Sequence, residues 1–330
     1  VSAEPRVTIA FPTYRARAEL LLPALDAARA QTFSDVELFV VDDGSEDDVL
    51  RAVEARGVRV YRNPTRLGLA GNWNRCVDLA RGELLNVAHQ DDHMHPTFVA
   101  RAVDALDRAP RAGFVHTGWR AVDDRGAATG ERWEHLADHT GDFARDGRDY
   151  FVRIVEGHTP VCCPTAVYRR AAFERAGRFD ERFRFAADVD QFCRLLLVAD
   201  VAYVHEVLLD YRRHPDSTSS ATRQAQMYAE LLLAKRRALE VARARGAFDA
   251  ATLARLTDAV AREGCKKARK VVFDDPEAAL AEVAHAVRLR PRARFSENAV
   301  VTTLRARYAR LRAALGLAPA TRSSRRARRD

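Results

Sequence analysis

The chain has 330 residues, 47% hydrophobic and 30% charged, which is enough for one large domain with an appendage or for two ordinary domains. No apolar run approaches the roughly 18–20 residues that span a bilayer. The start Val1-Ser2-Ala3-Glu4-Pro5 lacks the basic and apolar stretches of a secretory signal, so a cytoplasmic location is expected. The net charge is +8, but twelve arginines against two carboxylates fall from Arg290 onward, so the body before them is slightly acidic. That excludes a uniformly basic nucleic-acid binder.

In chain order, Val7–Phe11 is a β-rich run stopped by Pro12-Thr13-Tyr14, and 19–30 has apolar residues at helical spacing. Val36–Val41 is a second strand, ended by Asp42-Asp43-Gly44-Ser45 with Ser45 as the expected cap of a helix over 46–55. A third strand at 58–61, a helix over 69–80 and a fourth strand at 83–88 follow. Strands alternating with helices through short loops predict a parallel α/β sheet with right-handed crossovers. Ligands in such sheets bind beyond the carboxyl ends of the strands. The loops at 12–14, 42–45 and 89–92 should therefore gather on one rim.

After His89-Gln90-Asp91-Asp92-His93-Met94-His95, a helix is expected to open at Pro96. Strands at 114–122 and 128–133 flank Asp123-Asp124-Arg125-Gly126, which reads as a hairpin turn rather than a metal site. A helix near 150–155 leads to a loop at 157–164, then a strand at 164–168 and helices at 170–176 and 188–198. Two short strands, 201–204 and 207–211, close this part. Beyond about residue 220 the composition turns to Ala, Arg, Leu and Glu. Helices are expected at 224–245, 250–272, 276–288 and 298–315, with Asp275 capping and Pro276 at the first position of the third. The proposed division is 1–220, 221–318 and a basic tail at 319–330, expected to be a solvated segment with at most weak contact to an anionic membrane surface.

Five cysteines without C-x-x-C spacing argue against a zinc site or a disulfide framework. His89 and His93 are four apart, as in zinc peptidases, but Gln90 stands where that motif needs a glutamate and the preceding residues read as strand. Asp91 and Asp92, at the end of an apolar run, suit a hard divalent cation.

Pro12-Thr13-Tyr14, Gln31-Thr32-Phe33, Val40-Val41-Asp42-Asp43-Gly44-Ser45, Gly71-Asn72-Trp73-Asn74-Arg75-Cys76 and His89-Gln90-Asp91-Asp92 together resemble a family-2 glycosyltransferase. The resemblance continues through Gly177-Arg178-Phe179-Asp180, 187–195 and Tyr211-Arg212-Arg213-His214. It implies a GT-A fold, a mixed Rossmann-like sheet flanked by helices. It also implies transfer of a sugar, with inversion, from a nucleoside-diphosphate donor of UDP or dTDP type to an acceptor hydroxyl. Carried onto this sequence, Pro12, Tyr14, Asp43, Arg66, Asn74 and Asp91 would bind the donor nucleotide. Asp92, Asp91 and His214 would hold Mg²⁺ or Mn²⁺. His89 departs from the usual D-x-D-D form, and Ala187 from the acid that often precedes the base.

The base is expected to be Asp188, kept ionised by the amino end of its helix. Asp190, four residues before Arg194, is expected to form a helix-face ion pair. The competing classes are a nucleotide-sugar binding protein without catalysis and a metal-dependent nucleotidyltransferase. The second usually has a Gly-rich basic loop after its first strand, where Pro12-Thr13-Tyr14-Arg15 stands here.

Overall fold

The computed structural model describes residues 4–132, 139–157, 161–215, 217, 222–290 and 296–314. These fall in two compact units, one within Val1–Ile154 and His158–Ala221, the other within Val155–Gly157 and Thr222–Asp330. The tail at 319–330 and part of the 157–164 loop lie outside the described residues.

The first unit is built on one mixed sheet. Its strands are β1 (Val7–Thr13), β2 (Val36–Asp42), β3 (Arg59–Arg62), β4 (Leu84–Val87), β5 (His93–Met94), β6 (Ala112–Val122), β7 (Ala128–Arg132), β8 (Phe143–Arg145), β9 (Val167–Arg169) and β10 (Asp200–Arg212). The spatial order is β3-β2-β1-β4-β9-β6-β10-β5, with β7 on β6 and β8 on β10. Pairs β1–β2, β2–β3, β1–β4 and β6–β10 are parallel, whereas β9 runs antiparallel to both β4 and β6. The carboxyl ends of β1, β2, β4, β6 and β10 consequently share one rim. β1, buried almost throughout, reads as a continuous apolar run because both its faces are covered. β3 is the edge and carries Arg59 and Arg62 exposed, which discourages pairing with another chain.

Helices α1 (Ala18–Arg29), α2 (Asp47–Glu54), α3 (Gly68–Leu79), α4 (Phe98–Arg108), α5 (Gly147–Val155), α6 (Arg170–Ala176) and α7 (Ala187–Leu196) complete the unit. Their apolar stripes meet the sheet in a core that includes Ile9, Leu21, Leu25, Val40, Phe98 and Leu106.

Four local expectations change. Helix α4 starts at Phe98 rather than at Pro96, because the chain first makes the two-residue strand β5 against β10. Ser45 does not cap α2; its Oγ accepts from Ala16 N at 3.0 Å and ties the second loop to the first. The residues read as strand at 164–168 open instead with a short 3-10 turn, Cys163–Thr165, before β9. The two strands expected at 201–204 and 207–211 are one strand. His205 and Glu206, both exposed, break the alternation, and a bulge between Val204 and Val207 absorbs them. Opposite the bulge, a Cβ on Gly118 would lie 2.7 Å from the Glu206 carbonyl oxygen, so only glycine allows that approach.

The second unit holds α8 (Gln224–Ala244), α9 (Ala250–Val271), α10 (Pro276–Leu289) and α11 (Glu297–Ala314). Asp249 and Asp275 cap α9 and α10 by accepting from Thr252 N and Ala278 N. An apolar cluster including Cys265, Ala268, Val272, Ala279 and Ala286 packs the helices together. Between α8 and α9, Lys235, 2% exposed, donates to Glu263 Oε2 at 2.7 Å. No helix among the described residues is long and apolar enough to cross a membrane. All five cysteines are free thiols.

Removing one partner of a buried pair strands the other charge. Glu263→Ala should therefore cost about 3 kcal/mol, read as a lower urea midpoint. Arg262→Ala, which removes a half-exposed partner of Asp258, should cost under about 1 kcal/mol.

Candidate active site

Three loops at the strand ends touch one another, as the alternating pattern predicts. Asp43 N donates to the Thr13 carbonyl at 2.8 Å, and Tyr14 N donates to Gln90 Oε1 at 3.2 Å. Asp42 is fully buried. Its carboxylate accepts from Thr13 Oγ1 and from the N–H groups of Gly44 and Ser45, so it holds the turn that presents Asp43. Asp43 accepts from Asn63 Nδ2 at 3.0 Å, Leu67 N at 2.7 Å and Gly68 N at 2.8 Å. A carboxylate has about four lone-pair sites, so roughly one remains for a ligand N–H. Asn63 also donates to Asn72 Oδ1 at 2.9 Å, and buried Asn72 donates to the Thr13 and Val41 carbonyls. This relay fixes the Asp43 carboxylate from behind. Neither Asn63 nor the role of Asn72 stands out in the sequence.

Pro12 lies within β1 opposite Val41, one residue short of the loop. Tyr14 is half-buried, and the Arg66 guanidinium sits over its ring at 4.1 Å, with Arg15 at 5.2 Å. A flat, cationic group thus occupies a face of the aromatic ring that would otherwise take a base. The Asn74 side chain is engaged by the protein itself. Its amide donates to the Phe179 carbonyl and Glu181 Oε1, both at 3.0 Å, and accepts from Phe179 N at 2.9 Å. Asn74 thereby latches α3 to the loop before α7.

The loop at 89–92 runs from β4 across the rim to β5. Asp92, 4% exposed, accepts from Arg212 N at 2.8 Å through Oδ1, while Oδ2 is buried with no partner among the described residues. Arg212 also donates from Nε to the Asp91 carbonyl and from Nη1 to the carbonyls of Asp123 and Asp124. The Asp123–Gly126 turn is thereby a brace for the loop. Its own geometry is closed by Asp123 Oδ1, which accepts from Arg125 N and Ala127 N.

His214, nearly buried, is 2.8 Å from Asp91 Oδ2 through Nε2. Ligand atoms of His89, Asp91 and Asp92 lie within 4.8 Å of one another. Of the residues expected at an ion, Asp91 and Asp92 fall in this group together with His89, whereas His214 contacts Asp91 and keeps a buried Nδ1 without a partner among the described residues.

Adjacent like charges split the two carboxyls. Burial and the charge of Asp91 push Asp92 well above the ordinary carboxylate range. Burial also pushes Asp91 up, but the His214 hydrogen bond and the nearby His89 and His214 outweigh it and hold Asp91 below that range. Burial holds the His89 imidazole below its usual value, so it is neutral near pH 7. A neutral imidazole, an ionised carboxylate and a buried carboxylate oxygen without a donor fit a divalent cation, which would satisfy the orphaned Asp92 Oδ2.

Asp188 is at the start of α7, partly buried, and accepts from Val189 N at 2.8 Å. The expectation that the helix end lowers its pKa fails. Burial outweighs the backbone hydrogen bonds and pushes the carboxyl up to about 6. Asp190 behaves as expected, buried at 1% and paired with Arg194 Nε at 2.8 Å. Arg194 in turn holds the Ala176 and Arg178 carbonyls, and Gln191 the Gly177 carbonyl. Burial pushes the Cys162 thiol up, and the charges of Asp92 and Asp188 add to that effect. Cys162 lies in the connection to β9, which Asn86 in β4 secures by donating to the Pro164 and Ala166 carbonyls.

Residues 8–177 match the family described as Glycosyl transferase family 2. An uncharacterized protein of Mycobacterium tuberculosis is 30% identical over 245 residues, covering 66% of this chain and 70% of the relative. The chondroitin synthase of Escherichia coli is 23% identical over 225 residues, 65% of this chain and 30% of that protein. Among solved structures, S. aureus TarS 1–349 in complex with UDP-GlcNAc superposes with a TM-score of 0.69 at 16% identity, covering 94% of this chain and 92% of that one. The mannosyltransferase PcManGT from Pyrobaculum calidifontis, in complex with GDP-Man and Mn²⁺, gives 0.55 at 20% identity, covering 94% and 88%. The mixed sheet, the shared rim and the ordered motifs thus have one explanation: this chain belongs to glycosyl transferase family 2 and is a glycosyltransferase of GT-A fold.

Proposed function

We propose that this glycosyltransferase moves a sugar from a nucleoside-diphosphate-sugar to an acceptor hydroxyl, with inversion at the anomeric carbon and with Asp188 as the base. The carrying observation is the contrast between two acids two residues apart on one helix. Asp190 is neutralised by Arg194, whereas Asp188 has no cationic partner among the described residues and is raised to about 6. An acid so tuned is ionised at neutral pH yet basic enough to take a hydroxyl proton in the transition state. The acceptor oxygen bonds to the anomeric carbon as the carbon–phosphate oxygen bond breaks. The proton passes to Asp188 and the nucleoside diphosphate departs from the opposite face.

Tyr14 and Asp43 suit the base, the ring by stacking and the carboxylate by its remaining acceptor site. A divalent cation held by Asp91 and Asp92 would neutralise charge on the leaving diphosphate. The UDP-GlcNAc of TarS and the GDP-Man and Mn²⁺ of PcManGT support this reading of donor and ion. Gln90 couples the two subsites, since its amide bonds both the N–H and the carbonyl of Tyr14.

Asp188→Asn should lower kcat by about 10²–10⁴-fold while leaving the dissociation constant for UDP nearly unchanged. In the parent protein kcat/KM should rise with pH through about 6 and level off above it, because the base works only when deprotonated. The mutant should lose that limb. Normal turnover by Asp188→Asn would overturn the assignment.

Asp92→Asn should leave UDP binding in the presence of a chelator unchanged but remove the gain that Mn²⁺ or Mg²⁺ adds, measured by titration calorimetry. Equal gains in both proteins would refute the metal role.

Arg66→Ala should separate nucleoside from nucleotide. Uridine should bind as well or better because the Tyr14 face is uncovered, whereas UDP should bind more weakly for want of the guanidinium charge. Parallel changes for both ligands would show that Arg66 acts only as scaffold.

A further inference from the structure

The cation-binding group contains an imidazole at the position where the family resemblance leads one to expect a carboxylate. His89 Nδ1 stands 3.6 Å from Asp92 Oδ2, too far for a hydrogen bond. Two donor atoms bound at right angles to one ion at about 2.1 Å lie roughly 3 Å apart, so a small adjustment lets these two share a cation. Asp92 Oδ2 and His89 Nε2 are both buried without a partner among the described residues. The imidazole is held in place from the side. It stacks on Trp73 at 5.9 Å and 24°, and Trp73, 5% exposed, packs edge-on against Phe179 at 5.1 Å. His214 also has a buried unpartnered nitrogen, Nδ1, but it is outside the group whose ligand atoms lie within 4.8 Å of one another, and its Nε2 is engaged by Asp91.

We propose that His89 is a nitrogen ligand of the catalytic cation and sets its identity, favouring Mn²⁺ and the later divalent transition ions over Mg²⁺. The inference rests on the nucleotide-sugar reading above. Mg²⁺ is hard and strongly prefers oxygen, so exchanging a carboxylate for imidazole costs it more than it costs a first-row transition ion. Trp73 and Phe179 are then positioning residues, and through the Asn74 latch the loop before α7 helps to orient the ring.

The test uses the full chain with UDP and Mn²⁺, read by electron spin-echo envelope modulation. The parent protein and His214→Asn should both show modulation from an imidazole nitrogen coupled to Mn²⁺, and His89→Asp should not. Competition of Mg²⁺ against the Mn²⁺ signal should show the Mn²⁺ preference falling by about tenfold or more in His89→Asp. Absence of coupling in the parent refutes the proposal even if a variant folds poorly, and the two variants assign the nitrogen when coupling is seen. Bound Mn²⁺ with UDP but without nitrogen coupling would overturn the proposal and leave the nucleotide-sugar reading intact. Coupling lost only in His214→Asn would also overturn it. Failure of UDP and Mn²⁺ to bind together would sink both.

Discussion

The site is governed by an uncompensated buried charge. One oxygen of Asp92 is satisfied by a main-chain N–H of Arg212; the other has no donor among the described residues. Such an arrangement is costly in a protein that never binds a cation, since an unpaired buried carboxylate must either protonate or find a positive partner. The surroundings relieve the cost only in part, since burial and the charge of Asp91 outweigh the Arg212 N–H and the Arg212 charge. The guanidinium of Arg212 is directed to the carbonyls of Asp91, Asp123 and Asp124 rather than to either carboxylate. The positive charge nearest to hand is thus spent on bracing, and the orphaned oxygen is left facing its neighbours in the cluster.

A similar division of labour runs through the other acids of the rim. Asp42 and Asp43 are adjacent, but the first is consumed by its own turn and the second keeps about one acceptor site. Asp188 and Asp190 share a helix, yet only Asp190 has an arginine within reach. In each pair one carboxylate is taken up by the protein's own groups and the other is left with an acceptor site to spare. The structural member is the more buried and the better satisfied in both cases. Chemistry therefore follows the absence of a local partner more than the identity of the side chain.

Much of this was legible in the sequence. The alternation of apolar runs and amphipathic stretches gave the helices and most strands, because period and punctuation are local properties. The convergence of the loops at 12–14, 42–45 and 89–92 followed from the rule that parallel strands present their carboxyl ends together. What could not be read were the long-range partners. Gln90 meets Tyr14 across 76 positions and Arg212 meets Asp92 across 120, and nothing in either stretch announces the other. The same blindness hid the partners of Asn74, whose amide meets residues more than a hundred positions later. It also reversed the pKa shift expected of Asp188, because the helix end is visible in sequence but the desolvating neighbours are not. Strand β5, at two residues, is too short to carry a pattern.

The loop from Ala88 to Asp92 also has a mechanical meaning. It begins beside β1, among the residues that suit a nucleotide, and ends at β5, which is hydrogen-bonded to β10 on the far side of β9 and β6. Only a handful of residues make that crossing, so the segment has almost no slack. A tether of this kind fixes the spacing between the part of the rim built by β1 and β4 and the part from which β10 and its following histidine approach. A changed side chain along it leaves that spacing intact, whereas an inserted or deleted residue would not. Length, more than composition, is the property that this stretch must keep.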